Sequence, residues 1–232
     1  MNDQDRDDLA QRIIHARQAI VGAAESANRD PSGITIVAVS KTVGREVIDV
    51  AYDFGLRHFG ENRVQDAQAK FHPPLPSDAS LHLIGQLQTN KAKSAAALFG
   101  LIESVDRPSL VEALEKAAAS LQLSLPVLIQ VNVAGEAQKA GCDPADASVL
   151  AETIALAPHL TLRGLMTIAP LAADPEAVRP VFVGLHDLRD RLQQRFPDAD
   201  FGILSMGMTN DYQIAIAEGA THVRIGRALF GG

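Results

Sequence analysis

The stretch ITIVAVSKTVGREVIDVAYDFGLRHFG, residues 34–60, decides how the chain folds. ITIVAV (34–39) is a short β-branched run, the composition of a strand buried on both faces. GREVIDVAYDFG (44–55) then reads as a helix that stops at Gly55, a residue that tolerates the left-handed turn of a helix end. LRHFG (56–60) is a second short strand. A strand, a helix and a strand in immediate succession argue for a parallel sheet.

The same unit recurs outward from this segment. A helix over ENRVQDAQAKF and a proline-rich loop, HPPLPSDAS, lead to the strand LHLIG (81–85). NKAKSAAAL is helical, LIESV (101–105) extended, and RPSLVEALEKAAASL a helix with proline near its first turn. LPVLIQVNV (125–133) is the longest predicted strand. DPADASVLAETIAL is a helix, TLRGLMTI (161–168) a strand, and DPEAVRPVFVGLHDLRDRLQQRF a long helix. FGILS (201–205), a helix over TNDYQIAIAEG, and THVRIG (221–226) complete the series. Ahead of it all, Leu9, Ile13, Ala16, Ile20, Val21 and Ala24 mark one face of an amphipathic helix. Eight strand-and-helix units with no linker between halves predict an α/β fold: a single (β/α)8 TIM-type barrel with an extra N-terminal helix, one domain over residues 1–232. The length is close to the roughly 250 residues typical of that barrel. Neither GxGxxG nor GxxxxGK[ST] follows any predicted strand, which weakens a nucleotide-binding reading.

Composition narrows the function classes. Hydrophobic residues make up 47% and charged residues 21%, enough apolar material for one large core. Cys142 is the lone cysteine, so neither an internal disulfide nor a cysteine-based zinc site is available, and no metal site is expected. A net charge of −7 disfavours non-specific nucleic-acid binding. The polar, acidic start MNDQDRDDLAQRIIHARQAI lacks the pattern of a signal peptide, and no apolar run approaches the roughly 18 residues of a membrane span. The expectation is a cytoplasmic protein that engages no membrane. No apolar helix face demands a partner, so a monomer is expected.

Barrels of this class carry their sites at the C-terminal ends of the strands, often with a phosphate held by the loops after strands 7 and 8. SMGMTND (205–211) and RIGRALFG (224–231) occupy those places. Ser205 could cap the next helix and donate to a phosphate, with the amides of Met206 and Gly207 beside it. Gly226 would let an anion approach the backbone, and Arg227 would open a final helical turn and add charge. Two ordinary strand-to-helix turns would read the same way. Lys41 ends the first strand on that rim. A partly desolvated lysine is neutral and attacks carbonyls, although most lysines at strand ends are simply solvated. Arg224, alternating with Val223 and Ile225, should face the barrel mouth and need a partner such as Glu61. Asn62 is a helix cap or a ligand contact. His82 reads as a satisfied core histidine, and Glu103 is the one obvious carboxylate at a strand end. Arg227, Lys91, Lys93 and Lys139 could contribute to a second anion site, or simply be solvated.

VAVSKT, HFGENRVQDAQ, LHLIGQLQTNKAK, IESVDRPSL, VLIQVNV, GLMTIAP, LSMGMTNDYQIAI and VRIGRALFG occur in that order. Together they resemble the pyridoxal phosphate homeostasis family, similar to the N-terminal domain of alanine racemase. The departures are Leu81 where tryptophan is frequent, Gln86 and Thr89, and the VNVAGEAQKAG loop. The resemblance implies the barrel, pyridoxal 5′-phosphate (a vitamin B6 form) bound as a Schiff base on Lys41, and Arg224 beside the pyridine nitrogen. It implies Ser205 and Gly226 with nearby amides at the phosphate, and Asn62 near the ring.

A guanidinium has donors and no acceptor, so Arg224 would meet the ring nitrogen without yielding it a proton. An unprotonated ring is a weaker electron sink, though this alone does not exclude racemisation. Two-base racemisation needs a second acid/base opposite the lysine. Alanine racemase takes a tyrosine from an additional β domain. This sequence ends seven residues after Ile225, and the expectation is that no such domain follows. Tyr52 and Tyr212 both fall on predicted outer helices. The reading is a non-catalytic carrier that buffers pyridoxal phosphate and passes it to dependent apo-enzymes. The alternatives are an amino-acid racemase of the alanine-racemase class and a cofactor-free isomerase with Glu103 as its base.

Overall fold

Eight parallel strands hydrogen-bond in sequence order and close on themselves. They are β1 (Thr35–Val39), β2 (His58–Glu61), β3 (Ser80–Leu83), β4 (Leu101–Val105), β5 (Leu125–Gln130), β6 (Leu160–Met166), β7 (Ile203–Met208) and β8 (His222–Ile225). The computed structural model describes residues 1–136, 140–172 and 174–231. Lys139, considered above for an anion site, lies outside them. Closure is made by β8 against β1, with Val37 opposite Arg224 and Ala38 opposite Ile225. The helices are α1 (Asp3–Ser26), α2 (Arg45–Asp53), α3 (Val64–Lys70), α4 (Ala92–Leu98), α5 (Pro108–Leu121), α6 (Ala147–Ala155), α7 (Arg179–Arg195), α8 (Tyr212–Ala217) and α9 (Arg227–Phe230). The predicted barrel with its extra N-terminal helix is therefore the observed one.

Period-2 alternation sorts the strand residues into two environments. Ala38, Phe59, Ile102, Val127, Leu204 and Val223 join the main core beneath the helices. A separate small cluster of Leu101, Leu128 and Met166, flanked by Ile168 and Ile203, fills one side of the barrel interior. The other side is polar: His82, Glu103, Ser205 and Arg224 are all buried.

α1 starts with a capping box, Asn2 Oδ1 accepting from the Asp5 amide at 2.8 Å. It buries Leu9, Ile13, Ala16, Ile20 and Ala24, while Val21, predicted on that face, stays 39% exposed. Arg12 Nε donates to the Leu229 carbonyl at 2.8 Å, so α1 clasps the last helix.

Strand boundaries differ from expectation in two places that matter. Glu61 is the last residue of β2 rather than the start of a helix. β7 runs three residues beyond Ser205, to Met208, through a register irregularity against β8. β5 is also shorter than predicted, ending at Gln130. Among the described residues no helix is long and apolar enough to cross a membrane, and no cluster of His, Cys, Asp or Glu side chains suits a metal ion.

At Gly164 the backbone leaves no room for a side chain. Gly164, at φ +144°, sits where β6 slips register against β5, and a Cβ there would lie 1.9 Å from the Ile203 carbonyl oxygen. Gly164→Ala is expected to cost about 2 kcal/mol or more by forcing β6 from β7. It should lower the urea midpoint at unchanged slope. Gly22→Ala, in open space on α1, should instead stabilise by about 0.5–1 kcal/mol. Equal midpoints for the two variants would show that the β6–β7 pairing yields freely.

Candidate functional site

The C-terminal ends of β1, β6, β7 and β8 surround a cleft of about 940 Å³. Lys41 and Thr42 line it from the turn after β1. Ile168 to Ala172 form an apolar wall after β6, and Met208 to Asp211 a polar one after β7. Arg224 rises from its floor, and Gly226, Arg227 and Phe230 close the β8 side.

Lys41 is exposed, so the apolar strand before it does not desolvate the amine as the sequence suggested. What the structure supplies instead is a rigid base. Ser40 is fully buried. Its amide donates to the Gly60 carbonyl at 3.0 Å, and its hydroxyl donates to Glu61 Oε1 at 2.7 Å. Lys70 Nζ donates to both the Ser40 carbonyl and Glu61 Oε1, each at 2.7 Å. The residue before Lys41 is thus held from three directions, while the Lys41 side chain is free to reach across the cleft. Glu61, expected to pair with Arg224, is committed to Lys70.

Arg224 is buried at 3% exposure. Its two terminal nitrogens are both engaged: NH1 donates to Ser205 Oγ and NH2 to the Thr167 carbonyl, each at 2.7 Å. Ser205 in turn donates to Glu103 Oε2 at 2.5 Å. The other oxygen of Glu103 is 2.7 Å from His82 Nδ1, and His82 Nε2 is 3.0 Å from His58 Nδ1. Burial works to raise the Glu103 pKa, but His82, the charge of Arg224 and the Ser205 hydroxyl override it and hold the carboxyl at about 2. Burial pulls the Arg224 pKa down while the charges of Glu103 and Asp211 oppose it.

The β7 end explains why the serine and its neighbour are elsewhere. Because β7 continues to Met208, Ser205 points into the barrel interior and Met206 into the helical layer, both fully buried and neither lining the cleft. Gly207, at φ +89°, makes the extension possible: a Cβ would lie 2.6 Å from Ala215 Cβ and 2.8 Å from Tyr212 Cα. α8 therefore packs directly on the strand. The groups presented to the cleft are three residues later, Thr209, Asn210 and Asp211. Asp211 accepts from the Met208 amide at 2.6 Å, and burial raises its pKa. Gly226 abuts the β1 end, where a Cβ would come within 3.3 Å of Val39, and Arg227 donates to Asn210 Oδ1 at 3.3 Å across the two loops.

Of the predicted residues, Lys41, Arg224, Gly226 and Arg227 are brought together. Asn62 is not. The chain leaves β2 at Glu61 and turns against Gly85, so Asn62 lines a neighbouring depression with Gln86, Gln88 and Lys91. Ser205 and Met206 are displaced by the strand extension. Glu103 is fully buried under Arg224 and does not open to the cleft, so it is no base for a substrate there. Sequence reasoning missed Thr42, Thr209, Asn210 and Asp211 in the cleft and Lys70 beneath it. The TND that follows SMGM was the available signal for three of them.

The alanine racemase N-terminal domain family matches residues 23–232. The pyridoxal phosphate homeostasis protein of Aquifex aeolicus is 42% identical over 221 residues, 95% of this chain and 96% of that one. The structure of PipY from Synechococcus elongatus with pyridoxal phosphate bound superposes with a TM-score of 0.84 at 37% identity, covering 96% of this chain and all of PipY. Alanine racemase of Clostridium difficile shares the fold, with a TM-score of 0.77 at 14% identity; the match covers 97% of this chain and 57% of the racemase.

The polar side of the barrel interior makes stability depend on pH. Burial, reinforced by His82 and His58 and opposed by Glu103, pushes the His222 pKa from 6.5 to about 4. The unfolded chain then takes up protons before the folded one. Stability that is complete above pH 6.5 is lost as pH falls toward 4, by roughly 3 kcal/mol from this residue. Denaturant titrations at intervals between pH 7 and 4 should show that decline, and His222→Asn should flatten it. An unchanged pH profile in the variant would count against a neutral, buried His222.

Proposed function

The chain belongs to the alanine racemase N-terminal domain family and, within it, to the pyridoxal phosphate homeostasis proteins, and from that membership we propose that it holds pyridoxal 5′-phosphate in the cleft through Lys41 as a carrier. The observation that carries this reading is the donor set of the cleft. One exposed primary amine, one buried guanidinium and a corner of hydroxyl, amide and guanidinium donors face a single space. When bound, pyridoxal phosphate supplies an aldehyde that condenses reversibly with an amine and a ring that draws electrons from the attached carbon.

The residues suit that molecule. Lys41 supplies the amine from a fixed backbone. Arg224 offers donors only, which suits an unprotonated ring nitrogen. Thr209, Asn210 and Arg227 lie between the loops after β7 and β8, the usual phosphate position of such barrels. The free amides at the start of α9 add to it, and Gly226 keeps the backbone bare. Ile168 and Ala169 provide an apolar surface for a ring.

We read the chain as a binding protein rather than a racemase because, among the described residues, no tyrosine lines the cleft to serve as a second acid/base facing Lys41. Asp211 is the one carboxylate lining it among the described residues, and its Oδ1 accepts from the Met208 amide. Tyr52 donates to Asp78 on the outer surface and Tyr212 packs into the core. Neither lines the cleft. On this reading the protein is a cytoplasmic monomer that limits free aldehyde and hands the cofactor to dependent apo-enzymes.

A visible absorbance spectrum after incubation with pyridoxal phosphate tests the reading first. The expected result is a yellow protein whose borohydride-fixed adduct maps to Lys41 and is lost in Lys41→Ala. A colourless protein would overturn it, and sustained amino-acid turnover or solvent-deuterium exchange at Cα would favour the racemase. Arg227→Gln should weaken pyridoxal phosphate by about tenfold, the scale of one charged hydrogen bond, while leaving phosphate-free pyridoxal unchanged. Equal losses for both ligands would remove Arg227 from the phosphate corner.

A further inference from the structure

The interior of a parallel barrel is normally filled by layers of Val, Ile and Leu. Half of this interior follows that rule, with Leu101, Leu128 and Met166. The other half is a continuous hydrogen-bonded chain contributed by β2, β3, β4, β7 and β8, running from His58 to Arg224. A buried charge pair of this kind costs desolvation energy that apolar packing would not, so its retention calls for a use.

The direction of each bond between Glu103 and Arg224 is fixed by chemistry. Glu103 is ionised and accepts only. The single hydroxyl proton of Ser205 is given to Glu103 at 2.5 Å, so only lone pairs face Arg224, and NH1 donates into them at 2.7 Å. On the other side, His82 gives its Nδ1 proton to Glu103 at 2.7 Å, and its Nε2 lies 3.0 Å from His58 Nδ1. The second terminal nitrogen of Arg224 is tied to the Thr167 carbonyl, and Thr167 is itself anchored by its hydroxyl donating to Val131 O at 2.7 Å. A planar guanidinium held at two nitrogens has a set plane and a set free edge.

We propose that Glu103, acting through the Ser205 hydroxyl, is the positioning residue that sets the plane of Arg224 and thereby the protein's selectivity for a ligand with a ring nitrogen. Glu103 touches no ligand itself. The assignment rests on reading the cleft as a pyridoxal phosphate site.

The test compares two probes, pyridoxal phosphate and its carbocyclic analogue with carbon in place of the ring nitrogen. Aldehyde and phosphate are the same in both. The wild-type protein should prefer pyridoxal phosphate by about tenfold or more, the scale of a hydrogen bond from a charged donor. In Glu103→Gln the preference should fall toward unity, with a shift of the visible band, and Glu103→Asp should restore part of it. A purely structural role would weaken both probes alike, and an unchanged preference ratio in Glu103→Gln would overturn the assignment. If Glu103→Gln does not fold, Ser205→Ala removes the link while keeping both charges, and the same loss of preference is expected. A retained preference there overturns the assignment equally. Failure of the wild-type protein to bind either probe would instead overturn the reading of the cleft itself, and this assignment with it.

Discussion

An arginine buried in a closed barrel has to be neutralised and hydrogen-bonded where it stands, because little of it meets water. Arg224 meets that demand through Ser205, Glu103 and the Thr167 carbonyl, and the rest of the interior is arranged around the solution. Glu103 in turn needs His82, and His82 needs His58. Each partner occupies an inward position on a different strand, so the register of those strands is tied to one charge. The apolar cluster of Leu101, Leu128 and Met166 fills what remains. A one-residue slip of any of these strands would turn its polar member out into the helical layer and strand the others.

Lys41 is treated differently by the fold. Its backbone is immobilised by Lys70, Glu61 and the β1–β2 ladder, while its amine is left in solvent. The two cations of the cleft therefore represent opposite arrangements: Arg224 is rigid at its tip and Lys41 is rigid only at its root. A ligand that must be both recognised and released benefits from such a division. On the proposed reading, the fixed guanidinium would meet the ring and the exposed amine would follow the ligand in and out. Arg227, bridging to Asn210 across the two rim loops, occupies an intermediate position.

The barrel was legible because short β-branched runs and helical periods alternate without interruption from Ile34 to Ile225. Lys41, Arg224, Gly226 and Arg227 were legible because strand ends bound them and alternation gave Arg224 its direction. Ser205 and Met206 were misplaced for a local reason. Nothing in SMGM signals that a strand continues through a glycine with left-handed backbone, and that glycine is tolerated because α8 rests on it. The shift moved the serine from the rim to the interior and brought Thr209 and Asn210 to the rim instead. Asn62 likewise stands elsewhere than expected, since Glu61 extends β2 by one residue and Asn62 then lines the neighbouring depression. Lys70 was invisible because its partner, the Ser40 carbonyl, is a backbone atom thirty residues away in sequence.

The pairing of β8 with β1, and the clasp of Arg12 on Leu229, place the two ends of the chain side by side. The cleft straddles that seam: its amine comes from the first strand and its guanidinium groups from the last. A ribosome delivers these two strands far apart in time. A nascent chain can acquire helices and successive strand pairs as it emerges, yet it has no cleft until its final strand docks. On the proposed reading, ligand capture therefore waits on β8, and a chain cut before that strand would carry Lys41 as an ordinary surface lysine.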